Sequence, residues 1–256
     1  NSVDMKLDES LFNIPGVKRD LRFYVTGPSP CPYLPGRVER KGFTHLAPDG
    51  SDELHDKLSQ AGFRRSQSVA YRPACPTCNA CRSVRVDAGR FRASKNQKRV
   101  LRNNQDLVRS PVQARATREQ FRLLKSYLGS RHEGGGMSDM GFRDYVAMVN
   151  DSPVQSLLFE YRLGEDDHAP LMAVSLTDVM RDGFSMVYTF FDPRQRRRSL
   201  GTYLILDHIL HAAERSLPHV YLGYWIRGSE KMDYKRRFSP LEVLEAGRWR
   251  QLEDDE

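Results

Sequence analysis

Cysteine and tryptophan are scarce in this sequence, and it has no long apolar run. Of the 256 residues, 4 are Cys and 2 are Trp. No apolar stretch approaches the roughly 18 residues that a membrane-spanning helix needs, and the N-terminus lacks the apolar region of a secretory signal. These absences argue against a membrane-spanning or disulfide-rich secreted protein. We therefore expect a cytoplasmic protein whose few thiols stay reduced.

The remaining composition is that of a soluble globular protein with a basic excess. Hydrophobic residues make up 39% and charged residues 29%, and the net charge is +7. The length suffices for one large domain or two modest ones with a hydrophobic core. The positive charge favours an anionic partner, with nucleic acid as the first candidate. Net charge alone is equally compatible with a merely soluble basic protein.

Hydrophobic periodicity and turn residues predict a mixed α/β (α+β) protein in two parts. We expect helices over 51–63, 94–110, 119–132 and 202–217, and strands over 21–26, 68–73, 83–91, 154–162, 171–179, 185–191 and 220–225. A cysteine-containing module would occupy residues 21–110 and an α/β module residues 111–250. Residues 1–20 are expected to be an N-terminal extension or an expression remnant, and residues 251–256 a solvated acidic tail.

The helix predicted to begin after Ser94 carries a basic stripe. Ser94 and Gln97 have the spacing of a capping box. Four cations fall at i, i+3, i+4 and i+7, on one helix face: Lys95, Lys98, Arg99 and Arg102. An apolar side would come from Val100, Leu101, Leu107 and Val108. Such a stripe suits the phosphates of a nucleic acid.

A second basic group precedes the helix predicted over 202–217. It comprises Arg194, Arg196, Arg197 and Arg198, followed by Gly201. The order strand, basic loop, helix, strand resembles that of the GNAT acyltransferases, whose loop binds the pyrophosphate of coenzyme A at a helix N-terminus. Tyr203 stands where a second small residue belongs, and its side chain would obstruct a pyrophosphate. We expect either a phosphate-bearing acyl donor of another shape or a solvated basic loop.

Three of the four cysteines form a C-x2-C-x2-C run. They are Cys75, Cys78 and Cys81, and Cys31 could join them in space. Four thiolates suit structural zinc, and closely spaced cysteines also hold iron–sulfur clusters. The spacing does not choose between the two metals, and reduced structural thiols remain an alternative.

Five separated segments resemble one family. They are FYVTGPSPCPYLPG, YRPACPTCNACRSVRV, SKNQKRVLRNN, FFDPRQRRRSLGTY and YLGYWIRGSEKMDYKRRFSPLEVL, and they span roughly residues 21–247. In this order they resemble the aminoacyl-tRNA–protein transferases, and more closely the bacterial aspartate/glutamate leucyltransferases. The longer eukaryotic arginyltransferases have a C-x-x-C pair where this chain has Cys31 and Leu34, and they lack Cys75 and Cys78.

The resemblance implies that an aminoacyl group moves from charged tRNA to the N-terminal α-amine of a protein. The acceptor would begin with Asp or Glu, and the product would enter the N-degron route of degradation. Leucine rather than arginine as the transferred group follows from the branch alone. The resemblance also implies a GNAT-like C-terminal domain and no cofactor required for the chemistry. An α-amine with a pKa of about 7.7 to 8.0 needs positioning more than a strong base.

Candidate site residues follow from that reaction. Asp178 could hold or deprotonate the α-amine, and Tyr188 and Tyr224 could donate to the tetrahedral oxyanion. The acceptor carboxylate suits Lys or Arg, and the segment 228–238 offers Lys231, Tyr234, Lys235 and Arg237. Lys231 with Arg237 is the favoured pair. Purely structural roles remain open for all of these residues.

Two other functions remain open at this point. One is a coenzyme A-dependent GNAT N-acetyltransferase with an appended RNA-binding module. The other is a zinc-ribbon RNA-binding protein without enzymatic activity. Transfer of a labelled leucyl group from charged tRNA to a peptide beginning with Glu distinguishes an aminoacyl-tRNA–protein transferase from both alternatives.

Overall fold

The computed structural model describes residues 14, 16–17, 21–47, 49–131, 139–166 and 168–253. Most of the predicted N-terminal extension, the end of the acidic tail and residues 132–138 therefore lie outside the described residues. The described strands are β1 (Tyr24–Val25), β2 (Ser29–Pro30), β3 (Val38–Glu39), β4 (Lys41–His45), β5 (Arg64–Ser66), β6 (Val69–Pro73), β7 (Cys81–Asp87), β8 (Leu107–Gln113), β9 (Ser156–Leu163), β10 (Leu171–Met180), β11 (Gly183–Phe191), β12 (His219–Ile226), β13 (Leu241–Glu245) and β14 (Arg248–Gln251). The described helices are α1 (Ser51–Gln60), α2 (Lys95–Arg102), α3 (Arg118–Arg131), α4 (Phe142–Asn150), α5 (Leu200–Glu214) and α6 (Glu230–Asp233).

A large mixed sheet forms the centre of the molecule. Its order is β14-β13-β7-β12-β11-β10-β9-β8. β11 and β12 run parallel, whereas the neighbours on either side pair antiparallel. The helix α5 connects β11 to β12, since parallel neighbours need a crossover connection. The predicted α/β class and the predicted strand, basic loop, helix, strand order are confirmed.

Two hydrophobic clusters cover the two faces of this sheet. Phe159 and Ala173 belong to one cluster, and their neighbours Leu158 and Val174 belong to the other, because successive side chains of a strand point to opposite faces. Residues of α2 and α5 join the first cluster, and residues of α3 and α4 join the second. The basic helix α2 and the helix α4 therefore lie on opposite faces.

A smaller four-stranded sheet, of order β1-β4-β6-β5, packs beside the large one. Its inward face contributes Ala70 to a third cluster that also contains Leu46, Leu58 and Phe63. The edge strand β5 contacts β11 of the large sheet. The small sheet therefore reaches the middle of the large one through β5.

One sequence prediction about the first 113 residues needs correction. The helix that begins after Ser94 has its predicted capping box, but it ends at Arg102, and Leu107 and Val108 lie in β8 instead. Pro111 also lies in β8, which is an edge strand and can accommodate a residue without an N–H. The division proposed near residue 110 falls within β8, and β7 from the cysteine-containing part lies between β12 and β13.

None of the helices in the described part of the chain is both long and apolar enough to span a membrane.

Candidate active site

The two parallel strands of the large sheet pair only briefly and then separate. β11 pairs with β12 from Gly183 to Ser185, opposite His219 to Tyr221. Beyond this point, Gly223 of β12 has a φ of +77°, and the register of β12 against β7 shifts between Tyr221 and Gly223. The separation leaves backbone groups of both strands available to a side chain from elsewhere.

Arg64 of β5 fills this separation. Its Nη2 donates to the carbonyl oxygens of Met186 at 2.8 Å and Val187 at 3.2 Å. Its Nη1 donates to the carbonyl oxygen of Leu222 on the other strand at 3.4 Å. A Cβ atom added to Gly223 would lie 1.3 Å from Nη1 of Arg64. Glycine at this position therefore makes room for the guanidinium as well as for the positive φ.

Lys235 lies close enough to Arg64 for the two charges to interact. Only 4% of Lys235 is exposed, and its ammonium group donates to the carbonyl oxygen of Tyr224. Burial lowers the pKa of Lys235 to about 7, and the charge of Arg64 acts in the same direction. Among the described residues, no carboxylate forms an ion pair with either cation. Two neighbouring cations in this arrangement favour the binding of an anion.

The two tyrosines predicted to stabilise an oxyanion differ in what their hydroxyl groups contact. The hydroxyl of Tyr224 donates to the carbonyl oxygens of Gly62 and Tyr71, each at 3.0 Å. Tyr188 is half-buried on β11, and its hydroxyl forms no hydrogen bond with the part of the chain that the structure describes. Burial raises the pKa of Tyr188 to about 12, so that it stays a proton donor at neutral pH. The geometry favours Tyr188 over Tyr224 for this role.

Asp178 lies inside the protein, with no exposed surface. Arg65 contacts its two carboxylate oxygens at 2.7 and 2.6 Å, and Ser156 donates to one of them at 2.7 Å. Nε2 of His55 lies 3.1 Å from the other oxygen. Burial by itself raises the pKa of Asp178, but hydrogen bonds from His55 and Arg65 outweigh this effect and lower it to about 2. A role in binding the α-amine stays a prediction, and these contacts indicate a structural ion pair.

The predicted acceptor-binding residues lie on α6 and the 3₁₀ turn after it. Lys231 and Arg237, the favoured pair, are both exposed. Tyr234 is 40% exposed; partial burial raises its pKa, and the nearby charge of Arg64 lowers it. Lys235 alone is buried beside Arg64, so the structure divides this group into an exposed rim and one interior cation.

The basic stripe of α2 lies next to the arginine-rich loop. Asn104 donates to the carbonyl oxygens of Val100 at 2.8 Å and Arg198 at 2.9 Å, which ties the loop to the end of α2. The four cations of the stripe, Lys95, Lys98, Arg99 and Arg102, are all exposed. At the other end of α2, Nε2 of Gln97 donates to the carbonyl oxygen of Arg237 at 2.7 Å. One helix thus connects the two predicted RNA-binding groups with the acceptor segment.

The arginines of the loop differ in their contacts. Arg196 and Arg197 are exposed. Arg198 forms a two-pronged ion pair with Asp106, with both distances 2.7 Å. Arg194 forms a similar pair with Asp192, at 2.9 and 3.0 Å. Two of the four charges are therefore already balanced by a carboxylate.

The start of α5 differs from the expected obstructed helix end. Tyr203 is buried and packs against Tyr161, with ring centroids 5.9 Å apart. Its ring lies in the core and not at the exposed helix end, so the predicted obstruction by Tyr203 is wrong. Gly201 approaches Phe191 closely, since a Cβ atom there would lie 3.2 Å from the ring.

The four cysteines are all unpaired thiols of intermediate burial. Burial raises the pKa of Cys81 to about 12, and the charges of Cys75, Cys31 and Cys78 act in the same direction. The thiols are therefore neighbours in space. In the described ranges, however, no group of three or more His, Cys, Asp or Glu side chains is positioned to hold a metal ion. The side chains as they stand do not fit a metal or cluster, and a metal site on them stays a prediction.

Arg64 is the residue of this site that the sequence patterns did not reveal. It stands beside Arg65 in a short strand, and neither residue belongs to a recognisable motif. Only the pairing of β5 and the separation of β11 from β12 show that the two arginines have different partners.

Both ends of the chain match models of one protein family. Residues 29–99 match "Arginine-tRNA-protein transferase, N terminus", and residues 119–245 match "Arginine-tRNA-protein transferase, C terminus". The chain is 66% identical over 241 residues to an aspartate/glutamate leucyltransferase of Hyphomonas neptunium, covering 94% of this chain and 96% of the relative. It is 54% identical over 233 residues to one of Caulobacter vibrioides, covering 90% of this chain and 84% of the relative.

The solved structures to which the chain is similar are more distant in sequence. L-PGS from Bacillus licheniformis is 12% identical with a TM-score of 0.43, covering 67% of this chain and 50% of that one. A GCN5-related glucosamine N-acetyltransferase region of a fungal β-N-acetylglucosaminidase is 10% identical with a TM-score of 0.41, covering 78% of this chain and 23% of that one.

Proposed function

The chain belongs to the arginine-tRNA-protein transferase family, among the aspartate/glutamate leucyltransferases, and on this premise we propose that it transfers a leucyl group from charged tRNA to the N-terminal α-amine of proteins that begin with Asp or Glu. It is a transferase enzyme. The observation that carries the proposal is the position of α2, which contacts the arginine-rich loop at one end and the acceptor segment at the other. An RNA held on α2 would have its end near the acceptor site.

The reaction needs positioning more than activation. The neutral α-amine attacks the carbonyl carbon of the ester, a C–N bond forms, and the carbonyl electron pair moves onto oxygen. The tetrahedral intermediate then expels the terminal ribose oxygen of the tRNA, which takes up the proton that the amine loses. The ester is already an activated donor, so that holding the two reactants together supplies much of the rate. Tyr188 would donate a hydrogen bond to the oxyanion.

Arg64 and Lys235 would bind the side-chain carboxylate of the acceptor. Two observations support this role: the charge of Arg64 helps to lower the pKa of the buried Lys235, and no carboxylate of the described chain forms an ion pair with either cation. An acceptor that begins with Asp or Glu would supply that carboxylate, and one that begins with Lys would add a third positive charge. Lys231, Tyr234 and Arg237 would then contact the acceptor at the exposed rim.

Labelled-leucyl transfer tests this function. Purified protein is mixed with tRNA charged with labelled leucine and with peptides that differ only in their first residue, Glu, Asp or Lys. We expect label on the Glu and Asp peptides and none on the Lys peptide. A parallel reaction with arginyl-tRNA tests the donor group, and we expect leucyl transfer to be the faster. Equal labelling of all three peptides would contradict the carboxylate site.

A metal on the cysteines would be structural and would take no part in the chemistry. Elemental analysis and the visible spectrum of anaerobically purified protein test for zinc and for an iron–sulfur cluster. A colourless, metal-free and active protein would contradict the metal prediction. Marking of acceptors for degradation and action in the cytoplasm remain part of the proposal.

A further inference from the structure

One face of the small sheet carries a row of aromatic side chains that leads to the candidate active site. Tyr24 of β1 pairs with Phe43 of β4, Phe43 pairs with Tyr71 of β6, and Tyr71 pairs with Arg64 of β5. Directly paired residues project from the same face of a sheet. Tyr24, Phe43 and Tyr71, here called the aromatic row, therefore end at Arg64.

The aromatic row lies on the accessible face of this sheet. Thr44 and Ala70, which alternate with Phe43 and Tyr71, are 1% and 0% exposed and face the interior. Tyr24 is 45% exposed, and its ring stacks on that of Phe43 with centroids 5.5 Å apart. Rings displayed on a sheet face are the surface on which unpaired nucleic acid bases stack.

The charges around the aromatic row suit a phosphate backbone. Nζ of Lys41 lies 6.0 Å from the centroid of the Tyr71 ring, and the guanidinium of Arg64 stands at the inner end of the row. Glu39 pairs with Lys41 at 3.1 Å, while the side chain of Lys41 stays 44% exposed. The combination of rings and cations matches single-stranded nucleic acid better than an apolar peptide.

The length and direction of the row suit a short RNA end. Three interstrand spacings of about 4.8 Å separate Tyr24 from Arg64, a span of roughly 14 Å that matches about three or four stacked nucleotides. The inner end adjoins the strand separation, because Tyr71 and Tyr224 have ring centroids 6.4 Å apart. A strand stacked along the row would present its last nucleotide at Arg64.

We propose that the aromatic row binds the unpaired 3′ end of the charged tRNA and leads its ester to the separation of β11 and β12. The proposal rests on the proposed function only in naming tRNA as the donor. The stripe on α2 would hold phosphates of the duplex, and the aromatic row would hold the unpaired bases. Stacking makes this contact tolerant of base identity.

The experiment compares two RNAs and four proteins. The RNAs are fluorescently labelled, uncharged tRNA and the same tRNA with its unpaired 3′ nucleotides removed. The proteins are the wild type, the double variant Tyr24→Ala/Phe43→Ala, the conservative variant Tyr24→Phe/Phe43→Tyr, and Leu163→Ala. Leu163 is 37% exposed on β9 and serves as a control for the loss of an exposed apolar side chain. Thermal unfolding verifies that each variant folds.

We expect the wild type to bind intact tRNA at least about a hundredfold more tightly than trimmed tRNA, since each stacked base contributes about 1–3 kcal/mol and the row offers three rings. The double variant, which keeps only Tyr71 of the row, should lose most of this difference, whereas the conservative variant and Leu163→Ala should keep it. In transfer assays, the double variant should raise KM for charged tRNA and leave KM for the acceptor peptide unchanged.

Two results would overturn the proposal. One is equal binding of intact and trimmed tRNA by the wild type, and the other is a preference for intact tRNA that is undiminished in the double variant. Binding is measured without any transfer. A wild type that prefers intact tRNA but transfers no leucyl group would therefore refute the proposed function and leave the aromatic row supported.

Discussion

Nε2 of Gln97 donates a 2.7 Å hydrogen bond to the carbonyl oxygen of Arg237. Gln97 also closes the capping box of α2 with Ser94. The same side chain therefore fixes the start of the basic helix and holds the acceptor segment against it. This contact explains how the RNA-binding face of α2 and the acceptor segment can keep a fixed position relative to each other.

Charge reversal on α2 should weaken tRNA binding. Lys98→Glu/Arg99→Glu removes two exposed cations and adds two anions, so we expect the affinity for tRNA to fall and its dependence on salt concentration to become shallower. The control is Arg143→Glu on α4, an exposed arginine on the opposite face of the large sheet. Filter binding at several salt concentrations measures the effect, and equal losses in both proteins would argue against a specific RNA face.

Replacing Lys235 should reduce discrimination between acceptors. In Lys235→Met the side chain has a similar length but no charge. Removing one cation from a buried charge pair with the acceptor costs about 2–5 kcal/mol of binding free energy. We expect kcat/KM for the Glu peptide to fall about 30-fold or more. The exposed Lys231→Met is the matched control and should have a smaller effect. An unchanged preference for Glu over Lys peptides in Lys235→Met would exclude Lys235 as the carboxylate ligand.

The pKa of Lys235 predicts how acceptor binding depends on pH. Its pKa is lowered to about 7, so in the free enzyme the charge is lost as the pH rises through 7. KM for the Glu peptide should therefore rise between pH 7 and 8.5, and Lys235→Met should show no such rise. Steady-state kinetics at each pH measure this difference.

The lowered pKa of Lys235 also predicts how the free energy of unfolding depends on pH. The pKa of Lys235 in the folded protein lies below the ordinary lysine value of 10.5, so the unfolded chain binds more protons between these two values. The contribution of Lys235 to the free energy of unfolding should therefore increase as the pH rises from 7. Denaturant titrations of the wild type and Lys235→Met, compared at pH 7 and pH 9, measure this contribution.

Gly223 and Gly247 allow the role of Arg64 to be tested apart from backbone strain. Both glycines have a positive φ, +77° and +75°. A Cβ atom at Gly223 would clash with Arg64, whereas one at Gly247 meets nothing within 4 Å. We expect both Ala variants to lose about 1–2 kcal/mol of stability. Gly223→Ala alone should also lose about 100-fold in transfer rate, because Arg64 must move. Similar activity in the two variants would contradict this role.

Asp178→Asn should be mainly a stability variant. Removing one partner of a buried ion pair costs about 3–5 kcal/mol, because Arg65 would keep its charge in the interior. The native pair should also weaken as the pH falls from about 4 to 2, through the lowered pKa of Asp178. Chemical denaturation and transfer assays of the same preparation distinguish a structural role of Asp178 from a catalytic one. A variant with normal stability and no activity would restore Asp178 as a catalytic candidate.

The sequence predicts the regular elements better than it predicts the site. Periodicity identifies α1, α3, α5 and the meander from β9 to β11, and capping chemistry locates the start of α2. Leu107 and Val108 were misassigned because their apolar spacing suits a helix as well as a strand, and only pairing with β9 distinguishes the two. Arg64 and Arg65 illustrate the limit for the site: adjacent and identical, they reach different partners through tertiary contacts alone.

The position of β7 has a consequence for how the polypeptide can be divided. This strand comes from the first ninety residues, yet it lies between β12 and β13 of the large sheet. A fragment that begins at residue 111 would have a gap in the middle of its sheet and two unsatisfied strand edges, which favours aggregation. The two halves should regain a stable sheet only when they are produced together, as complementing pieces of one cooperative unit.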